Sequence, residues 1–115
     1  MAINNINDEV DNMNKTVTFT MASTFLLLSN VALAADIAKG NELSVKCIGC
    51  HGATGIGINK TIPNLAGKDI AYLSDKIKAY RDGSLSNPLM NSMVAGISDS
   101  DVDNLASYYN SLPSQ

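Results

Sequence analysis

Cys47-Ile48-Gly49-Cys50-His51 is the stretch on which the reading of this chain turns. It forms C-x-x-C-H, the pattern for covalent haem attachment. Two cysteines three positions apart on a helical turn can each form a thioether to one of the two haem vinyl groups. The next residue then lies under the iron, where its imidazole can coordinate. Other uses of a cysteine pair fit less well. A closed structural zinc site needs four protein ligands, and the chain offers only Cys47, Cys50 and its single histidine. A redox dithiol belongs in a βαβ surrounding, whereas Val-rich and aromatic strand patterns are absent here. A disulfide across so small a loop would stabilise little.

Working outward, Asp36 to about Lys46 reads as a short helix with Gly40, Leu43 and Cys47 on one face, which delivers the cysteine-containing turn. After it, Gly52, Gly55, Gly57, Pro63 and Gly67 punctuate a stretch with little periodicity, a long loop of the functional kind that would wrap the cofactor. Lys68 to Arg81 carries Ile70, Leu73, Ile77 and Tyr80 at helical spacing and ends at Asp82-Gly83, a good C-terminal stop. Ser98-Asp99-Ser100-Asp101 resembles a capping box, and Val102, Leu105, Ala106 and Tyr109 then form a buried stripe up to Pro113. The small Gly40 would let the first and last helices approach closely near Tyr108 or Tyr109, aromatic residues that read as core rather than as redox relays.

No second histidine exists, so a sixth ligand to the iron would be Met90, Met93, a lysine, or nothing. The segment from Gly83 to Met93 is rich in turn formers, so it reads as a loop able to fold a thioether over the cofactor. A Met pair at i, i+3 more often packs than ligates, and at most one of the two can reach the metal; the other packs on the porphyrin edge.

Composition sets the frame. A chain of 115 residues with net charge −3 holds one domain and has neither the basic excess of a nucleic-acid binder nor a long acidic tail. Residues 16–35 carry no charge. Lys15, the apolar stretch from Val17 to Leu28, and Ala32-Leu33-Ala34 make the three parts of a secretory signal, with the cut after Ala34. The acids Asp8, Glu9 and Asp11 suit such a signal poorly, so translation is expected to begin at Met13. An uncleaved anchor is the competing reading, since the run is long enough to span a bilayer, but its Thr, Ser and Asn content disfavours it. Residues 35–115 then form the domain, with seven basic against eight acidic side chains. That domain has no Phe and no Trp. Domains of this size are often marginal without a staple or cofactor, and a porphyrin would supply the missing bulk.

Three stretches in order, Cys47-Ile48-Gly49-Cys50-His51-Gly52, Ile62-Pro63-Asn64-Leu65-Ala66-Gly67, and Met90 followed seven residues later by Ile97-Ser98 and a helix ending Leu105-Ala106-Ser107-Tyr108-Tyr109, resemble the class I c-type cytochromes. The likeness is greatest to small bacterial c-552/c-553 types and to each half of the dihaem periplasmic relatives, and it covers essentially all of residues 36–112. It implies an all-α, cytochrome c-like fold of three to four helices wrapped around one covalently attached haem c. It also implies Cys47, Cys50, His51, Pro63 and Met90 as cofactor-binding residues, with His51 and Met90 on the iron and the Pro63 carbonyl on the other nitrogen of His51. The chain departs from the broader family in lacking an aromatic residue in the first helix, which leaves the packing there open.

His/Met ligation fills both axial positions and raises the potential relative to a second His, which suits electron transfer rather than catalysis. The expectation is a periplasmic one-electron carrier and not an enzyme. It would meet redox proteins such as a terminal oxidase or a quinol-oxidising complex, make transient contact with membrane-bound complexes, and bind no nucleic acid. The alternatives are a haem enzyme or gas sensor with an open sixth position, and a tethered subunit of a larger respiratory complex. An open site usually has a distal polar group, and here no distal His exists and the only Arg is Arg81. Apart from His51, only Lys60 is charged between Cys47 and Gly67, and Gly83 to Ser98 carries no charge. The docking surface is therefore expected to be apolar, with Ile56, Ile58, Pro88 and Leu89 among Ser and Asn.

Overall fold

The structure, a computed structural model, describes residues 34–115. The expected export signal up to Leu33, and the start at Met13, lie outside the described residues. Among the described residues there are helices and turns but no strand, and no helix is long and apolar enough to cross a membrane.

Helix α1 (Ile37–Leu43) begins where the Asp36 carboxylate accepts from the Lys39 backbone N–H at 3.0 Å. It passes into a 3₁₀ turn (Ser44–Cys47) and the short α2 (Ile48–His51). The run stops at Gly52, whose φ of 77° an L side chain rarely adopts. Sequence reading ends the first helix near Lys46; in the structure the helical path tightens at Ser44 and continues to His51, so both cysteines sit on helical backbone.

Helix α3 (Ile70–Asp82) is capped by Asp69, which accepts from the Tyr72 N–H at 3.1 Å, and it ends at left-handed Gly83. Of its predicted stripe, Leu73 is buried and Ile77 and Tyr80 pack on the core, while Ile70, at the first helical position, is 42% exposed. Helix α4 (Pro88–Met93) replaces the expected turn-rich loop. Asn87-Pro88 is itself a helix start: the Asn side chain accepts from the N–H groups of Leu89 and Met90, and Pro occupies the first helical position, where its missing N–H costs nothing.

Helix α5 (Asp99–Ser111) starts with Ser98 accepting from Asp101 N–H and buries Val102, Leu105, Ala106 and Tyr109. These join Leu73, Val94 and Ile97 in one core, against which Cys47, Leu65 and Met90 also pack. Helix α1 crosses α5 at Gly40, where an added Cβ would stand 2.1 Å from the Asn104 carbonyl oxygen and 2.7 Å from Tyr108 Cβ. Asn104, buried within α5, accepts from the Asp36 N–H at 2.8 Å and so ties the start of α1 to the last helix. This close, side-chain-free crossing answers the question left by the absent aromatic.

Candidate haem-binding cleft

Cys47, Cys50 and His51 open onto a cleft of about 360 Å³, a size usual for cofactor sites. Its walls are the apolar side chains Leu65, Leu73, Ile77, Val94 and Leu105 with the rings of Tyr80 and Tyr109. Both cysteines are free and half-buried. Burial pushes the Cys47 thiol up from its ordinary range, against smaller lowering effects of the Tyr109 hydroxyl and Lys46. Among the described residues no cluster of His, Cys, Asp and Glu could hold a bare metal ion.

His51 is buried, and its Nδ1 stands 2.9 Å from the Pro63 carbonyl oxygen. With Nδ1–H donating to that carbonyl, Nε2 of the neutral ring keeps the lone pair that a metal needs. The loop holding Pro63 is fastened by its own backbone. Leu65 and Ala66 N–H groups both donate to the Gly55 carbonyl, at 2.7 and 3.0 Å, and Ile58 N–H donates to the Cys50 carbonyl at 3.0 Å. Gly57 donates to Asn64 Oδ1 at 2.8 Å, and its missing side chain leaves room for the Ile62 carbonyl.

Across the cleft, α4 presents Met90, half-buried against the core, and Met93, 40% exposed; both line the cleft. Lys46 and Lys76 line it too, and Leu89 flanks its mouth. The structure thus brings Cys47, Cys50, His51, Pro63 and Met90 to one cavity. Sequence reading did not single out Asn64 or Asn87, which line it as well, although Asn before Pro is a readable cap signal.

The cavity fits a porphyrin on two counts: its lining is largely apolar, and it carries two free thiols and an imidazole with the lone pair on Nε2. The Tyr109 hydroxyl, buried in its wall, makes no hydrogen bond of ordinary geometry to any described residue, though Cys47 and Ser44 stand near it. Burial, with the Cys47 thiol beside it, pushes that hydroxyl's pKa upward.

Residues 37–113 match the family model described as Cytochrome c. The chain belongs to the cytochrome c family. The cytochrome is 42% identical over 81 residues to cytochrome c-554(548) of Halomonas halodenitrificans, covering 68% of this chain and 98% of that protein. It is 36% identical to the "thiosulfate dehydrogenase electron acceptor" of Stutzerimonas stutzeri, over 76% of this chain but 44% of that protein. Among solved structures, reduced recombinant cytochrome c4 from Pseudomonas stutzeri superposes with a TM-score of 0.62 at 27% identity, covering 67% of this chain and 48% of that one. The cytochrome therefore spans nearly all of one relative and about half the length of the others. Its cofactor is haem c, whose attachment motif Cys47, Cys50 and His51 fit.

Proposed function

We propose that this cytochrome is an exported one-electron carrier with His51 and Met90 as the axial ligands. The observation that carries the reading is that one apolar cleft is lined by both attachment cysteines, by His51 and by Met90. When bound, the haem iron supplies the one-electron couple. Cys47 and Cys50 hold the group covalently, the Pro63 carbonyl orients the imidazole, and Met90 takes the remaining axial position. The apolar walls exclude water and favour the less charged state of the site. With both positions taken, no site is left for a substrate, which supports a carrier over an enzyme or gas sensor.

The export signal of residues 1–34, cut after Ala34, places the mature domain of residues 35–115 in the periplasm. Its partners are redox proteins such as a terminal oxidase, a quinol-oxidising complex or, as the Stutzerimonas stutzeri relative's name suggests, a sulfur-oxidising dehydrogenase. They meet it at an apolar surface that includes Leu89, which lines the cleft and is 56% exposed, with Ile58, 63% exposed, and the exposed Pro88 in the uncharged stretches on either side; Ile56 is half-buried and contributes less.

The test is optical. The oxidised protein should show the weak near-infrared sulfur-to-iron charge-transfer band, which Met90→Ala abolishes and Met93→Ala leaves. The reverse pattern would move the ligand to Met93, and a wild-type spectrum without the band would defeat Met ligation.

A further inference from the structure

The segment that carries Met90 has no charged side chain from Gly83 to Ser98, so no ion pair can hold it in place. At its two ends it is tied to α3, by the Leu85 N–H and Ser84 hydroxyl donating to the Ala79 carbonyl at 3.0 and 3.2 Å and by Arg81 Nη1 donating to the Ile97 carbonyl at 3.2 Å. The caps and turns of α4 itself, however, are internal: Asn87 accepts from Leu89 and Met90 N–H groups, and the Asn91 N–H donates to the Asn87 carbonyl. Such bonds shape α4 but do not attach it to anything. The Asn91 side chain does. Its Nδ2 donates to the Tyr80 carbonyl at 2.6 Å and to the Leu85 carbonyl at 2.9 Å, while its Oδ1 accepts from the Asn87 N–H at 2.8 Å. Both amide hydrogens and the amide oxygen are therefore used, on three separate points of the chain. The Tyr80 carbonyl lies in the last turn of α3, among the carbonyls that a helix end leaves without an internal partner. Among the described residues no other hydrogen bond joins α4 to α3.

We propose that Asn91 is the positioning residue that keeps Met90 seated against the cleft, by pinning α4 to the end of α3. This rests on the reading of Met90 as the axial ligand. For Met90 to leave the cleft α4 must shift, and any such shift opens the bonds to Tyr80 and Leu85 in a half-buried place where they are costly to lose. Asn91 therefore sets how often Met90 lets go. An external ligand enters only during that release, so its apparent affinity scales with the released fraction.

Imidazole titration of the oxidised, haem-loaded protein reads this fraction directly, with the near-infrared band and the visible spectrum as signals. Asn91→Ala is expected to keep the band without imidazole and to bind imidazole about tenfold tighter than wild type, as befits loss of the bonds that hold the closed state. Asn91→Asp keeps the acceptor toward Asn87 but sets a carboxylate against two carbonyls. It should be loosened at least as much, and it stands in if the Ala variant does not fold. Asn104→Ala, which removes the buried bond to the Asp36 N–H, should lower the melting temperature but leave imidazole affinity within about twofold of wild type, because Asn104 does not line the cleft and shares no hydrogen-bond partner with Asn91. Unchanged affinity in either Asn91 variant would overturn the proposal. Equal tightening in Asn104→Ala would overturn it too, since release would then follow global stability. A band that survives Met90→Ala would remove the ligation reading itself, whereas a band lost in Met90→Ala with unchanged imidazole affinity in Asn91→Ala would overturn only the pin.

Discussion

Two stretches of equal length face each other across the cleft, 52–67 with Pro63 and 83–98 with Met90, and both almost lack charge. The first is held by backbone bonded to backbone, through Gly55, Leu65, Ala66 and the Cys50 carbonyl, with glycines at its tightest points. The second has one backbone bond to α3, from the Leu85 N–H to the Ala79 carbonyl, but its α4 is held by side-chain amides, Asn87 for the start of the helix and Asn91 for its attachment to α3. Backbone bonds persist until the loop itself unfolds, whereas a side-chain bond opens with one rotamer change. The wall that orients His51 through the Pro63 carbonyl is thus the stiffer, and the wall that carries Met90 is the softer.

The largest effect comes from taking away the two cysteines that precede the first wall. A Cys47→Ser, Cys50→Ser double variant should be largely unfolded after export, because a small domain without Phe or Trp loses its main apolar body. A native-like helical circular dichroism spectrum in the haem-free variant would break the comparison at its root. Gly57→Ala comes next. Its Cβ would stand 2.1 Å from the Ile62 carbonyl oxygen, which is backbone and cannot rotate aside. Denaturant unfolding is expected to show a loss of about 3 kcal/mol, at the upper end for overpacking. Asn87→Ala, which removes the α4 cap, should cost about 1 kcal/mol. If the two rank the other way, the Pro63 loop is not the stiffer wall. The smallest effect is on encounter. With only Lys46 and Lys76 as charged side chains lining the cleft, raising ionic strength from a few millimolar to physiological should slow electron transfer to a redox partner by less than about threefold. A steep loss in stopped flow would assign docking to Lys46, Lys60 or Lys76 instead.

The helical architecture was legible because its signals are local. Asp36, Asp69 and Ser98 each cap the helix that follows, Gly83 stops α3, and the stripe Val102, Leu105, Ala106 and Tyr109 is buried as its spacing requires. Gly40 also reads through, since a glycine on a helix face implies a close neighbour. α4 did not, because a helix of 6 residues is too short to show periodicity and its Ser and Asn content resembles a loop. The amide bonds of Asn64 and Asn91 were hidden for another reason: their partners are backbone carbonyls and N–H groups, which every residue carries and no sequence marks.

The crossing at Gly40 has a consequence for how the chain folds. It joins the first helix to the last, and the Asp36 N–H reaches Asn104 over nearly the whole length of the domain. Closing so long a loop must precede any return from the contact, which slows folding relative to a bundle built from neighbours. A chain emerging N-terminus first presents Cys47 and Cys50 long before Asn104 and Tyr108 exist to meet Gly40. The Gly40 face of the first helix therefore has no partner until the C-terminal helix arrives.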